Sequence, residues 1–448
     1  MKALFRTSSF LGPQLVLAAL LLPVFLSAAP SLKISTDRKD ALYKENDEIV
    51  FTIEVKDGDQ DITAGDISWI LSMDGVGNLG EGKQSVEEGK TVVAKGSLDR
   101  PGFLRLMATY TGPDKKKITA YGAAGVSPLD IPLSMPVPND FDQFWVDQKA
   151  KLAQIPLNPV ATPQELPETD FTIVAFDVQI PCEKEGPPVS GYFAMPKTAA
   201  PKSLPAVLWV HGAGVRSSSL GNATKGARNG FLSMDINAHG IANGKPKEYY
   251  NELGAGKLKN YRHDGRENRD TIYFRGMLIR LARAIDFLAT RPEWDGKVLA
   301  VIGHSQGGLQ ALAAGGIDDR VTFIGSGVPA GCDHSGMKAG RVSGWPKLVP
   351  LENEVPNAAA LDACRYIDAV NFATRCKADA IVSAGFIDRV CPPTSVYAAY
   401  NALKGNKVMI NKQEMGHAAP ADIQNQFWEA LEKHHAAIRA GKEVPALR

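Results

Sequence analysis

The downstream half of the chain alternates short apolar runs, many of them β-branched, with segments of helical periodicity. The apolar runs lie at residues 206–210, 231–234, 298–302, 321–324, 380–382 and 407–410. Helical segments are predicted at about 275–290 and 423–440, and in the second of these Ile423, Phe427 and Leu431 form one apolar stripe. Strands that alternate with helices pair in parallel and are covered on both faces. This alternation therefore predicts an α/β fold with a mostly parallel sheet.

Composition excludes several other classes of protein. The 448 residues are 44% apolar, which is enough for about two hydrophobic cores but too little for several membrane spans. Lys and Arg together number 50 and Asp and Glu number 49, so the net charge of +1 argues against a nucleic-acid-binding surface. Glycine (42), proline (29) and the 22% of charged residues are ordinary for a globular protein, which argues against disorder.

The first 29 residues have the pattern of a secretory signal peptide. Lys2 and Arg6 precede an almost wholly apolar stretch at 11–26, and small residues follow it. We therefore expect cleavage after Ala28 or Ala29 and export to the periplasm or the medium, with no membrane attachment after cleavage. An uncleaved membrane anchor is the less favoured alternative, because prolines interrupt an apolar run that is barely long enough to span a bilayer.

Period-two alternation dominates residues 30–126. Ile49, Phe51, Ile53 and Val55 alternate with polar residues, and Gly/Asp-rich turns separate further short apolar runs. Several short strands with regular turns predict an immunoglobulin-like β-sandwich domain. Because this segment has no cluster of His, Cys or carboxylate residues, a packing or spacer role is preferred to a carbohydrate-binding role.

A proline-rich segment separates this domain from the α/β region. Pro128, Pro132, Pro136 and Pro138 lie close together and break regular structure. We therefore predict a linker at 127–140 and an α/β domain that spans residues 141–448.

The cysteines give no sign of a metal site. The five cysteines are Cys182, Cys332, Cys364, Cys376 and Cys391. None forms a CxxC pair, so zinc is not supported, and no other metal or cofactor is predicted. An exported protein can form disulfides, but the sequence does not give a pairing, and the preferred interpretation is that each cysteine is a small buried side chain.

The most informative motif is Gly303-His304-Ser305-Gln306-Gly307, which follows an apolar strand and precedes a small-residue helix. A sharp strand-to-helix turn needs glycines two residues on either side of its serine, because neighbouring chains approach closely there. Such a turn holds the serine Oγ clear of the sheet, at the positive end of the next helix. The context predicts that Ser305 is a catalytic nucleophile.

A serine nucleophile needs a histidine base, which in turn needs a carboxylate. Of the histidines that follow the later strands, His434 and His435 fall in the last helix and are interpreted as solvated residues, which leaves His417 as the base. Asp388 directly follows a buried strand, where sites form in parallel sheets. It is therefore the predicted acid. The less favoured alternatives are Asp368, Asp379 and Glu414.

An oxyanion in such a site needs two backbone N–H donors. The first is predicted at Gln306, directly after the nucleophile. The second is expected from the loop His211-Gly212-Ala213-Gly214 that follows the 206–210 strand, with Ala213 as our choice. His211 is interpreted as a structural residue rather than a second base. The glycines of this loop lack the rest of a dinucleotide-binding fingerprint, so no nucleotide is implied.

From about residue 140 to 417 the chain resembles the acetyl xylan esterase and cephalosporin C deacetylase family of α/β-hydrolases. The resemblance rests on Phe141-Asp142-Gln143-Phe144-Trp145, Pro156-Leu157-Asn158-Pro159, Gly191-Tyr192-Phe193, Tyr273-Phe274-Arg275-Gly276, residues 305–308 and Asp388-Arg389-Val390-Cys391-Pro392-Pro393. It implies an α/β-hydrolase fold and matches Ser305, Asp388 and His417 to the family's triad. It also matches Gln306 and Ala213 to the oxyanion donors.

The chain departs from the family in two segments near the site. The family usually has a tyrosine where Ala213 stands, and an Arg-Gly-Gln segment where this chain has residues 237–240. The first difference leaves the backbone donor in place but changes the wall of the pocket. The N-terminal sandwich is an addition to the simplest family members, and it could block or alter the family's usual hexamer.

These observations predict an exported serine carboxylesterase that removes acetyl groups from carbohydrate such as xylan. One alternative is a peptidase or a broader esterase, since the same triad serves many acyl transfers. Another is a carbohydrate-binding protein with an inactive hydrolase domain. The segment 331–357 interrupts the alternation of strands and helices and could cap the site, and an ordinary surface loop is the preferred interpretation of its Asp333 and His334.

Overall fold

The fold is known from a computed structural model, which describes residues 30–58, 60–87 and 91–444. The predicted signal peptide lies outside the described residues. Within them, no helix combines the length and the apolar character that crossing a bilayer requires.

The upstream strands form two sheets. They are β1 (Ser31–Thr36), β2 (Leu42–Tyr43), β3 (Ile49–Asp57), β4 (Gln60–Asp61), β5 (Asp66–Met73), β6 (Val76–Ser85), β7 (Val92–Gly96), β8 (Gly102–Thr111) and β9 (Lys117–Val126). One sheet contains β1, β3, β4 and β7, and the other has the order β2-β9-β8-β5-β6. The predicted alternation in β3 is confirmed, because Ile49, Phe51, Ile53 and Val55 are buried and their neighbours are not. These residues belong to a hydrophobic core that the two sheets enclose. We call strands β1–β9 the N-terminal β-region.

The downstream residues contain eleven strands and nine α-helices among those that the structure describes. The strands are β10 (Val160–Pro163), β11 (Ile173–Ile180), β12 (Val189–Pro196), β13 (Leu204–Val210), β14 (Leu232–Ile236), β15 (Trp294–His304), β16 (Phe323–Gly327), β17 (Leu351–Glu352), β18 (Val355–Pro356), β19 (Asp379–Gly385) and β20 (Lys407–Lys412). The helices are α1 (Phe141–Ala153), α2 (Leu220–Arg228), α3 (Lys247–Ala255), α4 (Tyr273–Ala289), α5 (Gln306–Ile317), α6 (Ala358–Cys364), α7 (Ala369–Ala373), α8 (Pro393–Ala402) and α9 (Ala421–Arg439).

Nine of these strands form one mixed sheet in the order β10-β11-β12-β14-β13-β15-β16-β19-β20. Six neighbouring strands of this sheet pair in parallel, as predicted: β14, β13, β15, β16, β19 and β20. Each of them coincides with a predicted apolar run. The three strands β10, β11 and β12 add an antiparallel edge that the sequence interpretation did not include. The α/β fold is therefore confirmed, with a sheet that is less uniformly parallel than predicted.

Helices cover both faces of the mixed sheet. On one face, α1, α4, α5, α7 and α8 contribute to the largest hydrophobic core. On the other face, α9 packs through Ile423, Phe427 and Leu431, which confirms the predicted stripe. Because the strands are parallel, their carboxyl ends lie along one edge: Val210 pairs with Gly303, and His304 pairs with Gly327. The loops that leave this edge carry the predicted site residues.

Candidate active site

Ser305 occupies a sharp turn between β15 and α5. Its backbone has φ 57° and ψ −120°, a conformation that is strained for a residue with a side chain. A Cβ atom added to Gly303 or to Gly307 would lie 2.5 Å or 2.2 Å from the Val210 carbonyl oxygen. Only glycine fits at these two positions, because the neighbouring strand β13 approaches so closely. The predicted strand–turn–helix context of Ser305 is therefore confirmed.

The turn places Ser305 beside two of the predicted partners. His417 Nε2 lies 2.9 Å from Ser305 Oγ, and His417 Nδ1 lies 2.7 Å from Asp388 Oδ2. Asp388 is fully buried, whereas the His417 side chain is 24% exposed. In the neutral tautomer that suits this geometry, Nδ1–H donates to the carboxylate and Nε2 accepts from the serine hydroxyl. The arrangement can remove the proton from Ser305 and stabilise the imidazolium that results.

The surrounding backbone holds Asp388 in place. Its Oδ1 accepts hydrogen bonds from Val390 N at 2.8 Å and Cys391 N at 2.9 Å, which leaves Oδ2 for His417. The loop that carries His417 passes very close to the end of β19, since a Cβ added to Gly385 would lie 2.3 Å from the Met415 carbonyl oxygen. This close approach lets the acid and the base meet although 29 residues separate them.

Two of the three alternative acids are bound to other groups. Asp368 accepts hydrogen bonds from the backbone N–H groups of Asp333 and His334, and burial raises its pKa to about 7. Asp379 lies 2.8 Å from His434. Both carboxylates therefore have structural partners away from Ser305.

The loop 211–214 lies against the nucleophile. A Cβ added to Gly212 would be 3.2 Å from the His304 carbonyl oxygen and 3.6 Å from Ser305 Cβ, and Ala213 is the next residue. Gln306 is the first residue of α5, where backbone N–H groups lack partners within the helix. The two predicted oxyanion donors thus belong to segments that border Ser305.

Three residues that the sequence interpretation did not assign to the site hold this loop. Tyr261 Oη lies 3.0 Å from Gln306 Oε1 and accepts from Gly214 N at 3.4 Å, so it joins the two donor segments. His239 Nε2 lies 3.1 Å from the Gly214 carbonyl oxygen, and His239 Nδ1 lies 2.6 Å from Tyr273 Oη. Burial lowers the pKa of His239 to about 4, so the ring is neutral and can bridge a carbonyl and a hydroxyl.

His211 has the structural role that the sequence analysis preferred. Its Nε2 accepts a hydrogen bond from Ala238 N at 3.1 Å, and its Nδ1 lies 2.6 Å from the Gly212 carbonyl oxygen. Burial, with the positive charge of Arg216, lowers its pKa to about 3. The ring joins the donor loop to the segment that contains His239.

The segment that follows β16 is not an ordinary surface loop, so that interpretation is wrong. Asp333 and His334 are only 2% and 1% exposed. Asp333 pairs with Arg341 at 3.1 Å and accepts from Ser134. Further along, Trp345 N donates to the Val390 carbonyl oxygen at 2.9 Å, which ties this segment to the loop of Asp388.

Three side chains at the site are of types that can bind a metal ion and lie close together: Asp388, Cys391 and His417. One potential ligand atom of each lies within 4.8 Å of the others. Burial, together with the Asp388 charge, raises the pKa of the Cys391 thiol well above its ordinary value, so the thiolate that metals prefer is disfavoured. The side chains of Asp388 and His417 are hydrogen-bonded to each other.

All five cysteines are free and buried in the structure, as the sequence interpretation preferred.

Comparison with known proteins decides the family. Residues 134–433, more than half of the chain, match the acetyl xylan esterase (AXE1) family. The chain belongs to this family. As a member it is a carboxylic ester hydrolase, and the resemblance drawn from its motifs is confirmed. It is also 30% identical over 348 residues to acetyl esterase Axe7A of Xylanibacter ruminicola, an alignment that covers 76% of each protein.

Solved structures agree with this membership. An acetyl xylan esterase from Paenibacillus sp. R4 is 26% identical and has a TM-score of 0.58, over 68% of this chain and 98% of that chain. Acetyl xylan esterase 1 from Thermoanaerobacterium sp. JW/SL YS485 has a TM-score of 0.53 at 22% identity, over 68% and 97% of the two chains, and supports the fold. Both solved chains are covered almost completely, so this family member has residues beyond those they match.

Proposed function

We propose that this protein is an exported serine esterase that removes acetyl groups from carbohydrate through a Ser305–His417–Asp388 triad. The observation that carries the proposal is the continuous chain of contacts from Asp388 through His417 to the strained Ser305. Membership of the acetyl xylan esterase family supports the acetyl group and the carbohydrate substrate. The apolar segment at 11–26 and the small residues after it support export.

In the proposed mechanism, His417 Nε2 takes the proton of Ser305 while Oγ attacks the acetyl carbonyl carbon. The C=O electron pair moves to oxygen, and the backbone N–H groups of Ala213 and Gln306 donate to the oxyanion. When the tetrahedral intermediate collapses, the C=O bond forms again and the bond between the acetyl carbon and the sugar oxygen breaks. His417 gives its proton to that oxygen, which leaves as a sugar hydroxyl. An acetyl-Ser305 ester remains.

Water completes the cycle by the same route. His417 removes a proton from water, whose oxygen attacks the acetyl-Ser305 carbonyl. Collapse of the second intermediate returns the proton to Ser305 Oγ and releases acetate. Asp388 accepts the Nδ1–H hydrogen bond throughout and stabilises the imidazolium. The exposure of His417 supports this role, because water must reach the Nε2 side of the ring.

We also infer that the N-terminal β-region is an immunoglobulin-like β-sandwich domain, joined by the linker 127–140 to the hydrolase domain. The order of strands in its two sheets and its separate core support this division. We also propose that the chain can form a homo-oligomer, and that the added domain blocks or alters the hexamer that the family resemblance implies.

Acetate release from acetylated xylo-oligosaccharides and from p-nitrophenyl acetate tests the proposed function. We expect release from both substrates, and its loss in Ser305→Ala but not in the control Ser203→Ala, an exposed serine far along the chain from the site. Release from p-nitrophenyl acetate alone would contradict the sugar substrate. Activity retained by Ser305→Ala would contradict the serine mechanism, and amide cleavage would favour a peptidase.

A further inference from the structure

The loop that carries Asp388 is contacted from outside the hydrolase domain. We call residues 386–397 the acid loop; it begins where β19 ends and includes the first turn of α8. Phe103, on β8 of the N-terminal β-region, is fully buried against it. Its ring lies 5.0 Å from that of Phe386, in an edge-on contact, and 5.5 Å from that of Tyr397. One aromatic side chain therefore packs on both ends of the acid loop.

A second contact reaches the start of α8. Asp74, in the turn between β5 and β6, is 2% exposed and accepts a hydrogen bond from Thr394 N at 3.3 Å. The residue before α8 is Pro392, which offers the helix no side-chain cap. Asp74 thus supplies an acceptor and a negative charge to a helix N-terminus, both of which stabilise it. Arg105, on β8, lies 3.6 Å from Asp74 and offsets the cost of burying that charge.

A third contact lies beside the acid itself. The Arg389 guanidinium stands 4.6 Å from the ring centre of Tyr121, which is on β9. Arg389 directly follows Asp388. All three contacts come from the five-stranded sheet of the N-terminal β-region and touch the beginning, the middle and the end of the acid loop. The loop of His417 also has one such contact, because Gln413 Nε2 donates to the Asp40 carbonyl oxygen at 3.1 Å.

We propose that the N-terminal β-region positions the catalytic carboxylate, with Phe103, Asp74 and Tyr121 as positioning residues for Asp388. This inference rests on the proposed function of the triad. A catalytic carboxylate must lie within about half an ångström of its productive position to align its histidine. The acid loop leaves the sheet at the end of β19, so this position depends on what the loop contacts. From within the hydrolase domain, Trp345 N holds the loop through the Val390 carbonyl oxygen. The N-terminal β-region supports the loop with two aromatic contacts and a helix cap.

The first test compares two buried phenylalanines of the same region in the full chain. Phe103→Leu removes the contact with the acid loop, whereas Phe51→Leu makes the same change in the separate core of the N-terminal β-region. We expect Phe103→Leu to lower kcat for p-nitrophenyl acetate by about 10- to 100-fold, as expected for a displaced catalytic group. KM should stay close to wild type. A serine-directed phosphonate counts the active sites in each preparation, and kcat is expressed per reactive site. On this basis, Phe51→Leu should have the kcat of the wild type.

The second test uses the helix cap and does not depend on whether Phe103→Leu folds. Asp74→Ala removes the acceptor for Thr394 N, Asp74→Asn keeps one, and Asp66→Ala removes an exposed carboxylate of β5 that pairs with Lys83. We expect kcat per reactive site to fall several-fold in Asp74→Ala, to recover in Asp74→Asn, and to be unchanged in Asp66→Ala. Burial raises the pKa of Asp74 itself to about 6, so the pH profile of Asp74→Ala is compared with that of the equally uncharged Asp74→Asn. The acidic limb of kcat/KM should lie at lower pH in Asp74→Ala than in Asp74→Asn, because a loosened Asp388 stabilises the imidazolium less well.

These outcomes separate the two proposals. If Ser305→Ala abolishes activity while Phe103→Leu and Asp74→Ala keep wild-type kcat per reactive site, the positioning role is wrong and the triad stands. If Ser305→Ala retains activity, the triad itself is wrong. A loss of reactive sites with unchanged kcat per site would also overturn the positioning role, since it would show an effect on folding alone.

Discussion

Among the described residues of the α/β region, two Asp–His–hydroxyl chains have nearly the same local geometry. In the first, His417 lies 2.7 Å from Asp388 and 2.9 Å from Ser305 Oγ. In the second, His434 lies 2.8 Å from Asp379 and 3.2 Å from Thr322 Oγ1, through the same two ring nitrogens. Contacts of this kind are therefore not sufficient to define a catalytic site.

Position in the fold distinguishes the two chains. Asp379 is the first residue of β19, whereas Asp388 lies just beyond its last residue, so the chains are at opposite ends of one strand. Ser305 precedes a helix N-terminus and faces an exposed histidine, whereas His434 is 2% exposed and Thr322 precedes β16. The proposed triad thus differs from the buried chain in its position at the carboxyl edge of the sheet, in the donor segments that border it and in its access to water. We expect the buried chain to contribute to stability alone.

The largest expected effect separates the two hydroxyls. Ser305→Ala should lower kcat/KM by about 10⁴-fold or more, because no nucleophile remains, while the melting temperature stays near wild type. Thr322→Val should leave kcat/KM within about twofold. Ester hydrolysis and thermal unfolding of both variants check this. Comparable losses of activity in the two variants would mean that the buried chain also takes part in the reaction.

The two carboxylates should differ almost as strongly. Asp388→Asn should reduce kcat by about 10⁴-fold, because an amide N–H facing Nδ1 favours the wrong histidine tautomer. Asp379→Asn should leave kcat per folded molecule unchanged and lower the free energy of unfolding by about 1–3 kcal/mol, the cost of disturbing a buried charge-assisted hydrogen bond. Steady-state kinetics together with urea unfolding distinguish these effects, and a catalytic defect in Asp379→Asn would contradict the comparison.

A change to the buried histidine should be visible only in stability. His434→Leu removes the histidine partner of the Asp379 carboxylate and one of two partners of the Thr322 hydroxyl, which still accepts from Leu299 N at 3.4 Å. We therefore expect a loss of about 2 kcal/mol in the free energy of unfolding. The kcat of the folded enzyme should not change. Chemical unfolding followed by fluorescence measures the loss, with His435→Leu on the same helix as the control. Equal stability of the two variants would be the contrary result.

The last expected effect is absent at neutral pH and grows only on acidification, and it concerns a histidine that has no carboxylate partner. Neither ring nitrogen of His334 has a hydrogen-bond partner, and burial lowers its pKa to about 3. Between pH 6.5 and 3 the unfolded chain therefore binds a proton that the folded protein does not, so stability falls as the pH falls. Relative to wild type, His334→Leu should gain about 1.4 kcal/mol per pH unit below 6.5. A difference in unfolding free energy that does not vary between pH 7 and pH 5 would contradict this, because it would show that the ring takes up its proton in the folded protein as readily as in the unfolded chain.

Local patterns were enough to predict much of this molecule. Six parallel strands, the helix stripe through Phe427 and the turn at Ser305 follow from periodicity and glycine spacing over a few residues. The order of serine, acid and base along the chain then selected Asp388 and His417, which the fold brings together. The solvated interpretation of His434 was wrong, because that residue continues the buried face of α9 three residues after Leu431.

The remaining features depend on contacts between segments that are distant in sequence. Asp74 and Thr394 are 320 residues apart, and neither carries a motif that names the other as its partner. Tyr261 lies in a segment without periodicity, yet it joins Gly214 to Gln306. The sequence alone determined the strands, the turn and the identities of the triad candidates, because short-range periodicity and chain order encode them. Only the tertiary structure decided which buried polar groups meet and which region supports the acid loop, because packing sets those distances.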